Sequence, residues 1–270
     1  NLGSAAKPFA FNPRLTSGWD PGFHSFDIYK YKLDKVRFFQ TTRPYSELGY
    51  MLGSRAEQII HLLHTQNIKP NWNFAFQYGL INAPGFFKNQ NTNHNRYSFN
   101  SDYHSKNRRY SLYFIWMGNS MVANENGGIK SDKDYINDLV TYKERSTIPV
   151  QLGNYVQAGQ SFLNSKLNTG NSQKERTFFI RQQYDLGRRD SVVTDSNVVQ
   201  LFYPRFRMEY TLQWNAYKYR YSDAEPDTPM YVKNYNFLST PANNFNIQDK
   251  WSEVINDFSL YSFPVEKNPQ

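Results

Sequence analysis

The sequence predicts an all-β protein: an antiparallel, up-and-down transmembrane β-barrel, or part of one. Three observations carry this. The stretch 205–221, RFRMEYTLQWNAYKYRY, sets Phe206, Met208, Tyr210, Leu212, Trp214 and Ala216 on one parity, and Arg207, Glu209, Thr211, Gln213 and Asn215 on the other. Period two over that length is a strand with one apolar and one polar face. Aromatic residues make up 17% of the chain, with 21 Tyr, 21 Phe and 5 Trp, about twice an ordinary globular share. No window approaches the ~18 consecutive apolar residues of a transmembrane helix. Mean hydropathy is −0.76, too polar for a helical membrane protein but not for a barrel with a wet interior.

Residues 1–22 are rich in Pro, Gly and Asn (NPRLTSGWDPG) and read as an irregular N-terminal lead-in. Residues 23–270 are expected to supply the barrel strands. Residues 36–42 (VRFFQTT) form a strand candidate closed by Arg43-Pro44, and residues 45–52 form the next, ended by a turn at Gly53-Ser54-Arg55. Residues 56–68 (AEQIIHLLHTQNI) suit a helix by propensity, yet an alternating strand starts three residues later at Trp72, so a hairpin arm is the better reading. Residues 82–95 form a polar loop with a Pro-Gly turn. Strands at 96–105 and 108–122 make a second hairpin across Lys106-Asn107. A long connection at about 123–154 has room for a short helix. Residues 155–163 and 176–186 form a further pair. Residues 198–221 are the longest strand, with weaker ones at 230–238 and 254–263. No repeat of 20–50 residues points to a solenoid or propeller.

Connection lengths add topology. Arg43-Pro44, the turn at 69–71 and Lys106-Asn107 are short, while 82–95 and 123–154 are long. A meander puts odd and even connections at opposite ends, and short turns at one end with long loops at the other is the outer-membrane barrel arrangement. The turn at 53–55 breaks the contrast.

In a barrel, Phe206, Met208, Tyr210, Leu212 and Trp214 face lipid, since 9–11 tilted residues cross the hydrocarbon layer, and Tyr217, Tyr219 and Tyr221 emerge at an aromatic girdle. Arg207, Glu209, Thr211 and Gln213, with Arg181 and Gln183 of the strand at 176–186, then line a wet lumen. In a dry core Arg207 and Glu209 would each cost several kcal/mol of desolvation. A soluble β-sandwich that stacks sugar rings on Trp and Tyr explains this one strand equally well. It accounts less well for aromatics, rather than Val and Ile, dominating so many strands.

The balance of 31 Lys+Arg against 23 Asp+Glu gives +8, a surface suited to lipopolysaccharide or acidic solutes. The basic residues are scattered, without a nucleic-acid-binding signature, so no nucleic-acid partner is expected. Without cysteine there are no disulfides, zinc–thiolate sites or iron–sulfur clusters. His61 and His64 lie three apart, which in a strand points them to opposite faces. His94 sits among Asn and Gln in the loop at 82–95 with no carboxylate nearby; His24 and His104 complete the five histidines. No metal site is expected. Arg108-Arg109 and Arg188-Arg189 read as solvated turn ends, with a basic patch for phosphates as the alternative. No nucleophile elbow, phosphate loop or dinucleotide fingerprint occurs, so neither an enzyme nor a cofactor is expected. The chain opens on Asn1 without a signal-peptide pattern, so its numbering is expected to begin inside a mature or truncated protein.

The run YSELGYMLGSRAEQIIHLLHTQNIKPNWNFAFQYGLINAPGFFKNQNTNHNRYSF, then NRRYSLYFIWMGN and NENGGI, resembles the putative porin family of the Bacteroidetes outer membrane. FFQTTRPY, VQLGNYVQAGQSFL and FYPRFRMEYTLQW look like the same family, and HTQNI, INAPGFFKNQ and NRRY are its most specific blocks. The resemblance implies an antiparallel outer-membrane barrel that passes small polar or anionic solutes passively. Its neighbours would be outer-membrane lipid, lipopolysaccharide and other outer-membrane proteins. Members of the family are much longer, so the chain looks like roughly an N-terminal half, and the family offers no catalytic or binding motif to carry over. A plugged barrel that docks a protein partner through its Asn-rich loops is the rival within the same fold.

Overall fold

The structure is a computed structural model that describes residues 1–11, 20, 22–138, 140–153, 167–194, 197–237 and 244–263. Eight strands follow one another: β1 (Tyr45–Leu52), β2 (Gln58–Lys69), β3 (Trp72–Ala83), β4 (Thr92–His104), β5 (Tyr110–Asn124), β6 (Thr169–Thr194), β7 (Asn197–Asp223) and β8 (Phe245–Ser262). Each pairs antiparallel with its sequence neighbours in one sheet ordered β1 to β8. This is the all-β, up-and-down topology the periodicity predicts. The sheet is open, with one neighbour each for β1 and β8.

The turns at 70–71 and 105–109 and the junction of β6 with β7 lie at one end of the sheet, and the connections between β1 and β2, β3 and β4, β5 and β6, and β7 and β8 at the other. The contrast in loop length holds for the last three of these connections, whereas 53–57 is no longer than 105–109 and remains the exception.

Four expectations change. Residues 36–42 form no strand. Val36 packs instead with Tyr31 and Leu33 over Ile115, Met117 and Phe179, and the Thr41 amide donates to Asn67 Oδ1 at 3.2 Å, so this backbone finds side-chain partners and no ladder. The strand predicted at 176–186 pairs with β5 and β7, since Trp116↔Phe178↔Trp214 are in register; residues 155–163 lie outside the described residues. Within 230–238 stands a helix, α1 (Thr228–Tyr235), because Asp227 caps it by accepting from the Met230 amide at 3.2 Å and Pro229 fits its first turn. Finally, the loop at 82–95 is shorter than its polarity suggests. His94 lies in β4, and Arg188-Arg189 lie within β6, not at a turn.

The two faces are inverted relative to a soluble sheet. Phe76, Phe99, Trp116, Phe178, Trp214 and Val254 are successive cross-strand partners in one row over six strands. Diagonal contacts stitch it to the next row, with ring centroids 6.2 Å apart for Phe74–Phe99, 6.0 Å for Phe99–Phe114 and 5.4 Å for Phe114–Phe178. This apolar face is the open one, with Trp116 51%, Phe258 66% and Leu260 69% exposed. The buried residues of the opposite face are largely polar, among them Asn100, Thr177, Asp185, Glu209, Thr211 and Asn215.

Candidate functional site

The polar face is the candidate site. Its rows follow from the registers: Asp185↔Arg207, Gln183↔Glu209, Arg181↔Thr211, Phe179↔Gln213 and Thr177↔Asn215. Arg181, Gln183, Arg207, Glu209, Thr211 and Gln213 therefore share one face, and Phe206, Met208, Tyr210, Leu212 and Trp214 share the other. Arg207 donates from Nε and Nη2 to the two Asp185 oxygens at 2.7 and 2.9 Å, the bidentate geometry of a strong ion pair. Gln183 Nε2 donates to Glu209 at 2.5 Å. Arg181 Nε lies 3.1 Å from Thr211 Oγ1 and 3.3 Å from Glu209 Oε1. Asn215 donates to Glu253 of β8 at 3.0 Å. Each charge is met by a neighbour, which lets Asp185 and Glu209 stay 8% exposed without stranding a carboxylate.

What covers much of this face is the chain's own beginning. Residues 2–3 and 26–41 contact it at several points and act as a strap. The Leu2 carbonyl accepts from Thr92 Oγ1 at 2.6 Å. His94 is buried, and its Nδ1 accepts from the Val122 amide at 3.2 Å, so the proton sits on Nε2, which donates to the Gly3 carbonyl at 2.7 Å. Phe26 is 1% exposed against Met121 and Ala123. The Tyr31 amide and carbonyl both bond the Asn119 side chain, at 2.8 and 3.0 Å. Arg96 donates to the Tyr29 carbonyl and stacks on the Tyr31 ring.

The tightest point is ionic. Lys30 Nζ lies 2.7 Å from Glu175 Oε1 and 2.9 Å from Asp27 Oδ1, with the Lys30 side chain only 5% exposed. Tyr219 donates to the same Glu175 oxygen at 2.5 Å. Burial opposes ionisation of Asp27, but the Lys30 hydrogen bond and charge, with His24 and Lys32, outweigh it and hold this carboxyl below its ordinary range.

A glycine makes room for the strap. A Cβ on Gly79 would come within 2.5 Å of Arg96 Nε and 3.0 Å of the Tyr31 hydroxyl. Gly79→Ala is expected to weaken strap docking by about 1–3 kcal/mol. Faster tryptic cleavage at Lys32 and Lys35, with the sheet's circular dichroism unchanged, is the check.

Sequence reasoning places the β6 and β7 residues on their face but misses the strap anchors Asp27, Lys30, Tyr31, Arg96 and Glu175. The available signal was the alternation of charge and ring in DIYKYKLDK, residues 27–35, which lie between the lead-in and the first strand candidate. His61 and His64 do fall on opposite faces, as strand spacing requires; His64 meets Ser46 Oγ at 2.8 Å. Among the described residues no group of three His, Asp or Glu is arranged to hold a metal ion, and no helix is long and apolar enough to cross a membrane, which leaves strand crossings open.

A family model described as "Putative porin" matches residues 1–266 of the chain. No curated protein and no solved structure matches it.

Proposed function

The chain belongs to the putative porin family, and from that premise we propose that it forms part of an outer-membrane β-barrel conducting small polar solutes passively along its polar face. The inversion of the sheet carries this reading: the aromatic face is open and the polar, ion-paired face is covered. Water is a poor neighbour for six strands of rings, and lipid a good one. Conduction then rests on size exclusion and on the field of the lining charges, with no covalent chemistry. The free edges of β1 and β8 must be paired or covered where they meet lipid, because unpaired backbone groups are not tolerated there.

The charge of the face shifts the solute class away from the anions that the net charge suggests. Asp102, Glu175, Asp185, Glu209, Asp249, Glu253 and Asp257 share it with Arg96, Arg181 and Arg207. Carboxylates outnumber guanidiniums there, which favours small cations and neutral polar molecules. The strap narrows the same passage, and this favours a second reading in which the barrel is plugged and serves to dock a partner.

Single-channel recording of the folded, full-length protein in a planar bilayer separates the two. Stepwise openings are expected, with a reversal potential in a salt gradient on the cation-selective side that moves toward neutrality in Glu209→Gln. A heat-modifiable, correctly folded sample that stays silent both with and without its strap ends the channel reading in favour of docking.

A further inference from the structure

On the apolar face, four residues along the strands from the aromatic row, the surface changes character. Lys174, Lys218 and Lys250 are direct cross-strand partners on β6, β7 and β8. Arg176 and Arg220 stand one step to either side on the same face. Like charges directly opposed on a sheet repel and destabilise it, and this sheet opposes three in a row. The residues around them on that face are Ser120, Ser172, Ala216, Gln248 and Ser252, so no carboxylate shares it locally. The nearby acids Glu175, Asp249 and Glu253 have the opposite parity and point to the polar face. Among the described residues none of the five basic groups has an ion-pair partner.

Their height matters as much as their charge. Lys218 is four residues beyond Trp214, about 13 Å of strand, on the side of the long connections. In barrels of this kind the long connections face outward, so the row stands where the outer leaflet's headgroups begin.

Resting on the barrel reading above, we propose that Lys174, Lys218 and Lys250, with Arg176 and Arg220, form a binding site for the phosphate groups of an outer-leaflet glycolipid, whose acyl chains lie along the aromatic rows beneath. A phosphate supplies the counter-charge the lysine row lacks and accepts hydrogen bonds from several ammonium groups at once. The commitment is to a lipid phosphate, because the site's lower border is apolar and open.

The test is native mass spectrometry of the folded, full-length protein in detergent with diphosphoryl lipid A, its dephosphorylated form and inorganic phosphate as probes. The wild type is expected to retain diphosphoryl lipid A at least ~tenfold better than the dephosphorylated lipid, as several basic groups acting together require. Millimolar inorganic phosphate is expected not to displace it. Lys174→Gln/Lys218→Gln/Lys250→Gln removes the mutual repulsion and is expected to fold at least as well while losing the preference. Equal retention of the two lipids, retention undiminished in the triple variant, or full displacement by inorganic phosphate overturns the proposal. Insertion into lipid vesicles is scored on the same sample. A protein that inserts yet ignores the phosphates overturns this site alone, whereas one that does not insert overturns the barrel reading with it.

Discussion

Lys30→Met is expected to free the N-terminal strap from the polar face and to raise the conductance of the inserted protein. Lys30 is buried between Glu175 and Asp27, and removing it leaves two carboxylates facing each other, Glu175 mostly buried and Asp27 partly open to water. Breaking such a pair by deleting one partner costs about 3–5 kcal/mol. Tyr219 still donates to Glu175, which softens the loss without replacing the charge. The remaining anchors are the Phe26 contact with Met121 and Ala123, the paired bonds of Asn119 to Tyr31, the His94 bond to Gly3 and the Arg96 contact with Tyr29 and Tyr31; only Arg96 brings a charge, and it meets a carbonyl and a ring, not a carboxylate. Tryptic cleavage at Lys32 and Lys35 should quicken, and the single-channel step should grow. Unchanged conductance alongside faster cleavage means the strap does not obstruct the passage.

Acid acts on the same contact with a definite sign. The folded value of Asp27 lies below its ordinary 3.8, so the stability it adds is present above that ordinary value and is lost as pH falls through the lowered one. The strap is therefore expected to stay docked at neutral and mildly acidic pH and to loosen only below about pH 4. In Lys30→Met the same carboxylate has lost its main partner, and cleavage should depend on pH at a higher value.

How much of this was legible depends on range. The β7 pattern needs only its own alternation, so its two faces and its length could be read directly; Tyr217, Tyr219 and Tyr221, expected at a girdle, share the parity of Arg207 and stand on the polar face, where Tyr219 meets Glu175. The hairpins β2–β3 and β4–β5 follow from turns a few residues long at 70–71 and 105–109. The partner of β6 was not legible, because β5 and β6 are separated by the connection 125–168 and their register is set by matching rows, as in Trp116↔Phe178, which no local signal announces. The strap was hidden for a related reason. Residues 36–42 carry a fair strand pattern, but their neighbours are side chains of β2, β5 and β6, and a strand candidate without a free ladder to join makes other bonds. Residues 230–238 failed differently: Asp227 and Pro229 are a helix start, and that local signal was outweighed by the apolar run after it.

The apolar face offers the sharpest test of what solvent it meets. Ile180 lies at the middle of the aromatic rows, flanked on its own rung by Phe114 and Leu212. If that rung sits at mid-membrane, Ile180→Arg is expected to cost about 2–4 kcal/mol of folding stability in lipid vesicles, while the same change at Leu186, six residues along β6 and near the opposite interface, costs about 0–1 kcal/mol. On a soluble sheet with this face in water, both changes stay within about 0.5 kcal/mol. Denaturant titration of the two variants in vesicles measures the gap. A gap of that size requires a depth-dependent solvent, which water does not provide. A sandwich that stacks sugars on its rings also predicts solubility without detergent, and the row from Phe76 to Val254 argues against it. Offset, edge-to-face rings spread over six strands make a lipid-matching surface, whereas a sugar platform needs a few coplanar rings with polar partners at their rim. Nothing polar interrupts that row from β3 to β8.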